Sequence, residues 1–468
     1  MQAMGLIVTL LYILTAYLSP PTVFGPLAAF HLEFILAAIA LLVSIPSFSR
    51  DLFKQPQMLA ITGMLFAVFM SRLFTGWLGS APRGVMEFLP DVFVYVLIVT
   101  HCRSKRSLQF VTLTLFLASC YVIVQGALAV RAHDAHSPYI YSQGIGNEDY
   151  ILRIRGLSII GDPNDFAQVL VSLVPCMFFF ACPGRRSRNM IILVPTIAIL
   201  IAGLYLTHSR GAMLALVAVM VLAFRRKIGT IPAAILGGGA FAAATALSWS
   251  GGRQISMEAG ADRMDAWATG LELFKSHPLF GVGFKRFTDY NYITAHNSIV
   301  VCAAELGIIG FYFWVLFLVT SVRRGLSVSR GSIEPAEPPV TEPTPYWMAS
   351  LQRGPSPSLA NAPRSRAMTV LESPGPERMA FDVSEPEIRR LAGFILIALA
   401  GFLVAGWFLS RAYVMWLFIY GGMMQSALQM GQAQGGSYKI DSSSRLLRMS
   451  AVAAASLLVI VYVILRVR

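Results

Sequence analysis

Three side chains in the chain have the types and settings that handle a charged leaving group and a proton. Arg210 stands in THSRGAMLAL, a very tight turn between two apolar runs, at the first turn of the second run. Free backbone N–H groups, the positive end of a helix and a guanidinium fork then coincide, a combination suited to a phosphate or pyrophosphate. Arg263 opens a segment in which Met264, Trp267, Leu271 and Phe274 recur at helical spacing, so it predicts an amphipathic helix lying along a membrane surface. His296 stands in ITAHNSIVV with Asn297 and Ser298 beside it, at the mouth of another apolar run. A histidine there can take a proton from a hydroxyl near neutral pH. Each residue has a plainer explanation when taken alone: a snorkelling arginine, a solvated surface charge, a structural hydrogen-bonding histidine. Their convergence on one face of a membrane favours chemistry. Glu305, deeper in the same run, is read as a structural partner.

The elements that must position these residues are membrane spans. Of 468 residues, 56% are hydrophobic and only 13% charged, with a mean hydropathy of +0.64, which lies outside the range of soluble globular domains. Continuous apolar runs fall near 5–18, 27–46, 57–75, 84–100, 107–130, 159–182, 189–207, 211–224 and 229–248, and then near 297–322, 389–409, 412–424 and 446–465. They predict an all-α, polytopic helical bundle of about 12–13 spans, because lipid-embedded backbone must satisfy its own hydrogen bonds and the runs lack the alternation of barrel strands. The first run has no basic residue before it and reads as an uncleaved span.

Basic residues collect at alternate exits: Arg50 and Lys54; Arg103, Lys105 and Arg106; Arg185, Arg186 and Arg188; Arg225, Arg226 and Lys227; Arg323 and Arg324. These mark the cytoplasmic side, so the connections 131–158 and 249–295 face outward. The net charge of +13 reflects this topology, and no aromatic-interleaved basic groove suggests nucleic acid. Five cysteines without metal-type spacing predict neither a disulfide nor zinc.

The remaining organisation is simple. GDPNDFA, residues 161–167, reads as a helix start with Asp162 as cap and Pro163 at the first helical position, while Asn164 and Asp165 are placed to line an outer vestibule. Residues 323–387, dense in proline from Pro335 onward, read as a disordered cytoplasmic insertion. The expected divisions are N-terminal spans 1–155, a core 156–322 with outer loop 249–295, the insertion 323–387, and C-terminal spans 388–468.

SRGAMLAL, then RMDAWATGLELFKSHPLFGVGFKRF, then AHNSIVVCAAELGIIGFYFW, in this order and with GDPNDFA upstream, resembles the bacterial O-antigen ligase and polymerase family over roughly residues 156–322. The resemblance implies a membrane glycosyltransferase of the inner membrane, with its active site facing the periplasm. Such an enzyme moves a glycan from an undecaprenyl diphosphate carrier to an acceptor hydroxyl on a lipid or another glycan, without cofactor or metal. It implies His296 as the catalytic base and Arg210 and Arg263 as the residues that hold the diphosphate; Asn297 beside His296 and Asn164 at the outer vestibule are, from their positions, the further substrate-binding candidates. The expected partners are the lipid-linked donor, the acceptor and membrane lipids. Within the family a repeat-unit polymerase is the alternative to a ligase. Outside it, a secondary transporter would place its polar groups near the midplane in matching halves, and a scaffold would not need the outer Arg and His groups.

The charge pattern yields a direct expectation for topology. A cysteine introduced by Ser356→Cys in the insertion is not labelled by an impermeant reagent added to intact cells, since Arg323, Arg324, Arg389 and Arg390 flank it; labelling without permeabilisation rejects the assigned orientation.

Overall fold

The computed structural model describes residues 2–76, 78–144, 150–246, 249, 257–332 and 383–467. Helices dominate for the reason the apolar runs predict. In order they are α1 (Gln2–Leu18), α2 (Leu32–Ser44), α3 (Pro56–Thr75), α4 (Ser80–His101), α5 (Lys105–Arg131), α6 (Pro163–Cys176) and α7 (Arg186–Leu206). There follow α8 (Arg210–Ile228), α9 (Thr230–Ala246), α10 (Met257–Ser276), α11 (Ser298–Arg330), α12 (Glu385–Gly406), α13 (Met415–Ala433) and α14 (Ser443–Val467). Among the described residues, nine helices are long and apolar enough to cross a membrane, so the chain is an all-α multi-pass membrane protein. Each apolar run read from the sequence coincides with a helix, the shorter Leu32–Ser47 and Thr230–Ala246 included.

The bundle is organised around α11 and α13. Helix α11 packs most extensively against α3 and also touches α12, α13 and α14, while α13 lies against α4. Nearly every side chain of α13 is buried, Trp416 and Tyr420 among the largest. The run at 412–424 therefore is no short re-entrant segment. It extends to Ala433, and the chain after it bonds to the far end of α11: Ser327 Oγ donates to Lys439 O at 2.9 Å, and Arg323 Nε to Asp441 at 2.6 Å. Helix α14 starts from that end and reaches α10, which places Arg466 at the end opposite most of the basic residues.

Two elements depart from the sequence expectation. The connection 131–158 contains an antiparallel hairpin, β1 (Ile140–Gly144) and β2 (Tyr150–Ile154), in which Tyr141 pairs with Arg153. In the outer loop, HPLFGVGF does not stay on the surface. It enters the bundle where α11 breaks at Gly307, a residue with φ of +62°. Val282 and Gly283 N–H donate to the carbonyls of Ala304 and Glu305, at 2.9 and 3.1 Å, while Ile308 N–H donates to Pro278 O at 2.8 Å. The broken ends of the helix are thus satisfied by the inserted strand-like segment, the condition under which non-helical backbone is tolerated at membrane depth. Glycine is required at this contact: a Cβ on Gly281, at φ of +67°, would stand 2.3 Å from the backbone carbon of Glu305, and one on Gly307 would stand 2.4 Å from that of Leu279.

The segment read as an insertion also begins later than its composition suggests. Residues 325–330 are the last turns of α11, and Glu385 already belongs to α12, tied to Ser332 N–H by its Oε1 at 3.0 Å. Residues 333–382, which carry the proline-rich expectation, lie outside the described residues.

Candidate active site

The site lies at the end of the bundle where α6, α8 and α11 begin. Each of these helices starts with a polar cap that fixes a candidate residue. Ser209 caps α8 by accepting from Ala212 N–H and puts Arg210 in the first helical position. Asn297 caps α11 by accepting from Ile299 and Val300 N–H at 2.9 and 3.2 Å, which leaves His296 immediately outside the helix. Asp162 caps α6, with Pro163 first, and accepts from Asn164 N–H at 2.7 Å. The capping reading of GDPNDFA holds in the structure.

His296 has a left-handed backbone, φ +48°, a conformation uncommon outside glycine but one in which histidine, like Asn and Asp, is enriched. Three contacts hold it there. Its own N–H donates to Ser410 Oγ at 2.7 Å. The preceding carbonyl, of Ala295, accepts from Trp267 Nε1 at 2.7 Å. Ser298 Oγ donates to Leu409 O at 2.7 Å and accepts from Arg411 N–H at 3.1 Å. The turn 409–411 between α12 and α13 therefore straps the histidine in place.

Helix α10 brings Arg263 to the same point. Trp267 is buried, bonded next to His296 and set edge-on to Trp407 at 5.9 Å between ring centroids. Arg263 lies one turn earlier and so on the same face. Partial desolvation, then the neighbouring Arg210 charge, lower the Arg263 pKa, so the two arginines, from separate elements, act on each other electrostatically. His296 feels them as well. Burial first and the Arg263 charge second lower its pKa below the ordinary value of 6.5, with Asp162 opposing. At neutral pH its imidazole is accordingly neutral and can accept a proton.

Residues absent from the sequence expectation brace this arrangement. Arg153, buried in the hairpin, donates from Nε to Thr207 O at 2.8 Å, from Nη1 to Gln143 Oε1 at 2.8 Å and from Nη2 to Asn164 Oδ1 at 3.0 Å. It links the hairpin to the Arg210 turn and to the start of α6. Arg411 forms an ion pair with the buried Asp165 of α6. A signal for Arg411 was present: Ser410-Arg411 repeats the Ser209-Arg210 pair in another tight turn at the same end of the bundle.

The five expected site residues are thus distributed unequally. Arg210, Arg263 and His296 come together. Asn297 is fully buried and caps α11 through Oδ1, its Nδ2 having no hydrogen-bond partner among the described residues, and Asn164 bridges Asp162 and Arg153. Glu305 accepts from Phe287 N–H at 3.2 Å and so anchors the inserted loop. Among the described residues no three His, Cys, Asp or Glu side chains gather as a metal site would require.

Residues 195–315 match the family model described as O-Antigen ligase. The match begins within α7, ends within α11 and includes Arg210, Arg263 and His296. No curated protein matches the chain.

The Asp165–Arg411 pair makes the strap testable. Asp165→Ala or Arg411→Ala alone lowers stability by about 1.5–3 kcal/mol, the range for a charge-assisted hydrogen bond, while the double variant loses less than the sum of the two. A double-mutant cycle on thermal melts checks this, and strict additivity would show the pair to be energetically idle.

Proposed function

We propose that this chain, whose residues 195–315 match the family model described as O-Antigen ligase, moves a glycan from an undecaprenyl diphosphate carrier to an acceptor hydroxyl on the periplasmic face of the inner membrane. The observation that carries this reading is the placement of Arg210 at the start of α8, of His296 just before α11, and of Arg263 one turn from Trp267, which is bonded to Ala295 beside His296. Two fixed cations suit a diphosphate, and a neutral imidazole next to them suits the acceptor's proton.

In the proposed reaction the acceptor oxygen attacks the anomeric carbon and the bond from that carbon to the diphosphate oxygen breaks. The bonding electron pair leaves with the carrier diphosphate. Arg210 and Arg263 neutralise the charge that develops there, as preorganised donors do in a water-poor site, and Arg210 adds the N-terminal field of α8. The acceptor proton passes to His296. A single displacement inverts the anomeric centre, and the arginines supply the charge stabilisation without a metal. Ligation and polymerisation are the two forms of this reaction, and they differ only in the acceptor. In a deletion strain, long carrier-linked chains left unattached indicate a ligase and single carrier-linked repeats a polymerase.

Purified protein given a carrier-diphosphate glycan and an acceptor, without added metal, tests the assignment. His296→Ala lowers transfer about 10²- to 10⁴-fold, the range for a lost general base, while donor binding persists. Arg210→Lys is also markedly impaired, because an ammonium does not reproduce a bidentate guanidinium. Near wild-type transfer by His296→Ala refutes the base, and abolition by a chelator refutes the metal-free scheme.

The same assay has a defined pH dependence. The base must be neutral, so kcat/KM falls as pH drops through the lowered His296 pKa, below 6.5. Arg263→Ala removes a positive neighbour, raises that pKa and moves the acid limb to higher pH; an unmoved limb would separate His296 from the titrating group.

A further inference from the structure

At the opposite end of the bundle, a groove of about 700 Å³ runs along α7. One wall is a stripe of α7 that includes Arg186, Asn189, Leu193, Ile197 and Ile201, and the other is built from Phe178 and Arg390. From Arg186 to Ile201 the stripe covers about 22 Å at 1.5 Å per residue, longer than one leaflet's half of the roughly 30 Å hydrocarbon core. Helix α7 is peripheral, with 17% of its span window buried, so the groove is open to lipid.

The charge at its mouth is one-sided. Arg390 is half-buried, donates from Nη2 to Ala181 O at 3.2 Å, and lies 6.0 Å from the Phe394 ring centroid. Phe394 in turn stacks on Phe178 at 5.1 Å, so the guanidinium is held over the groove by an aromatic pair. Glu387, one turn before Arg390 on α12, pairs with Lys105 at 2.7 Å and also feels the Arg390 charge. Among the described residues no carboxylate lines the groove. Two guanidiniums at the head of a leaflet-length apolar slot match a phosphate with an acyl chain below it.

We infer that this groove binds one anionic diacyl phospholipid, with its phosphate between Arg186 and Arg390 and an acyl chain along the α7 stripe. The site is separate from the proposed catalytic residues, since α7 starts at the groove and ends at the Arg210 turn. Basic residues at the cytoplasmic membrane surface recognise acidic headgroups in this way. Asn189 does not point to the phosphate, because its side chain is already bonded to Cys182 through both amide atoms, at 2.8 and 2.7 Å. The two arginines therefore set the headgroup preference.

The test uses the purified full chain in mild detergent, with phosphatidylglycerol or phosphatidylcholine of matched chains, read by native mass spectrometry. Wild type retains one phosphatidylglycerol in preference to phosphatidylcholine by about tenfold or more, as expected for two cations near one headgroup. Arg186→Ala combined with Arg390→Ala abolishes the preference. Ile197→Trp fills the slot and removes retention of both lipids with the charges intact, so the site remains testable if the double variant does not fold. Equal retention of the two lipids by wild type, or unchanged phosphatidylglycerol retention by Ile197→Trp, overturns the proposal.

Discussion

Breaking a helix inside a membrane protein frees backbone groups that no water can take, and each would be several kilocalories per mole unfavourable if left alone. At Gly307 the freed carbonyls of Ala304 and Glu305 and the freed N–H of Ile308 all find partners in the inserted segment 278–283. This exchange fixes more than the break. It ties the outer loop to the upper half of α11, and Glu305 extends the tie by accepting from Phe287 N–H. Ser71 of α3 adds a further anchor through the bond from Phe284 N–H at 3.1 Å. The first nine residues of α11, with Asn297 and His296 above them, are thereby held against α3 by backbone geometry.

Above that foundation the site is a balance of like charges held close. Burial first and the Arg210 charge second lower the Arg263 pKa, and two like charges stay near each other only where covalent and packing constraints impose it. Ser209 and the cap of α8 impose one side. Trp267, bonded to Ala295 O and packed on Trp407, imposes the other. The left-handed His296 is a second strained element in the same place, held by Ser410. Strain concentrated where chemistry is proposed is consistent with preorganisation, in which the folded bundle supplies the energy that fixes reacting groups.

The two ends of the bundle treat basic residues differently. At the basic end arginines make structural bonds: Arg323 with Asp441, and Arg324 with Gln57 and Gln425 in the interior. At the site end the arginines go against the charge bias of the short connections, and each has a specific setting. Arg210 heads a helix, Arg411 pairs with Asp165, and Arg153 bridges three segments. An arginine on the disfavoured side of a membrane is therefore the informative kind in this chain.

Much of this was legible in the sequence because its causes are local. Apolar runs of spanning length, a capping aspartate before proline, and serine or asparagine ahead of a helix act within a few residues, so the helices and the caps at Asp162, Ser209 and Asn297 could be read directly. The trio Arg210, Arg263 and His296 that the proposed reaction uses could be singled out for the same reason, each standing at a polar interruption of apolar sequence. What the sequence left open depends on contacts between distant segments. The Arg153 hairpin, the strap from Ser410 to His296, the Arg411–Asp165 pair and the entry of HPLFGVGF at Gly307 join residues 10 to 246 positions apart or hinge on which backbone groups remain unpaired after packing. Asn164 and Asn297 illustrate the difference: their type and position could be read from the sequence, but only the folded neighbours show that Asn164 bridges Asp162 and Arg153 while Asn297 caps α11 through Oδ1 and keeps a buried Nδ2 without a partner among the described residues.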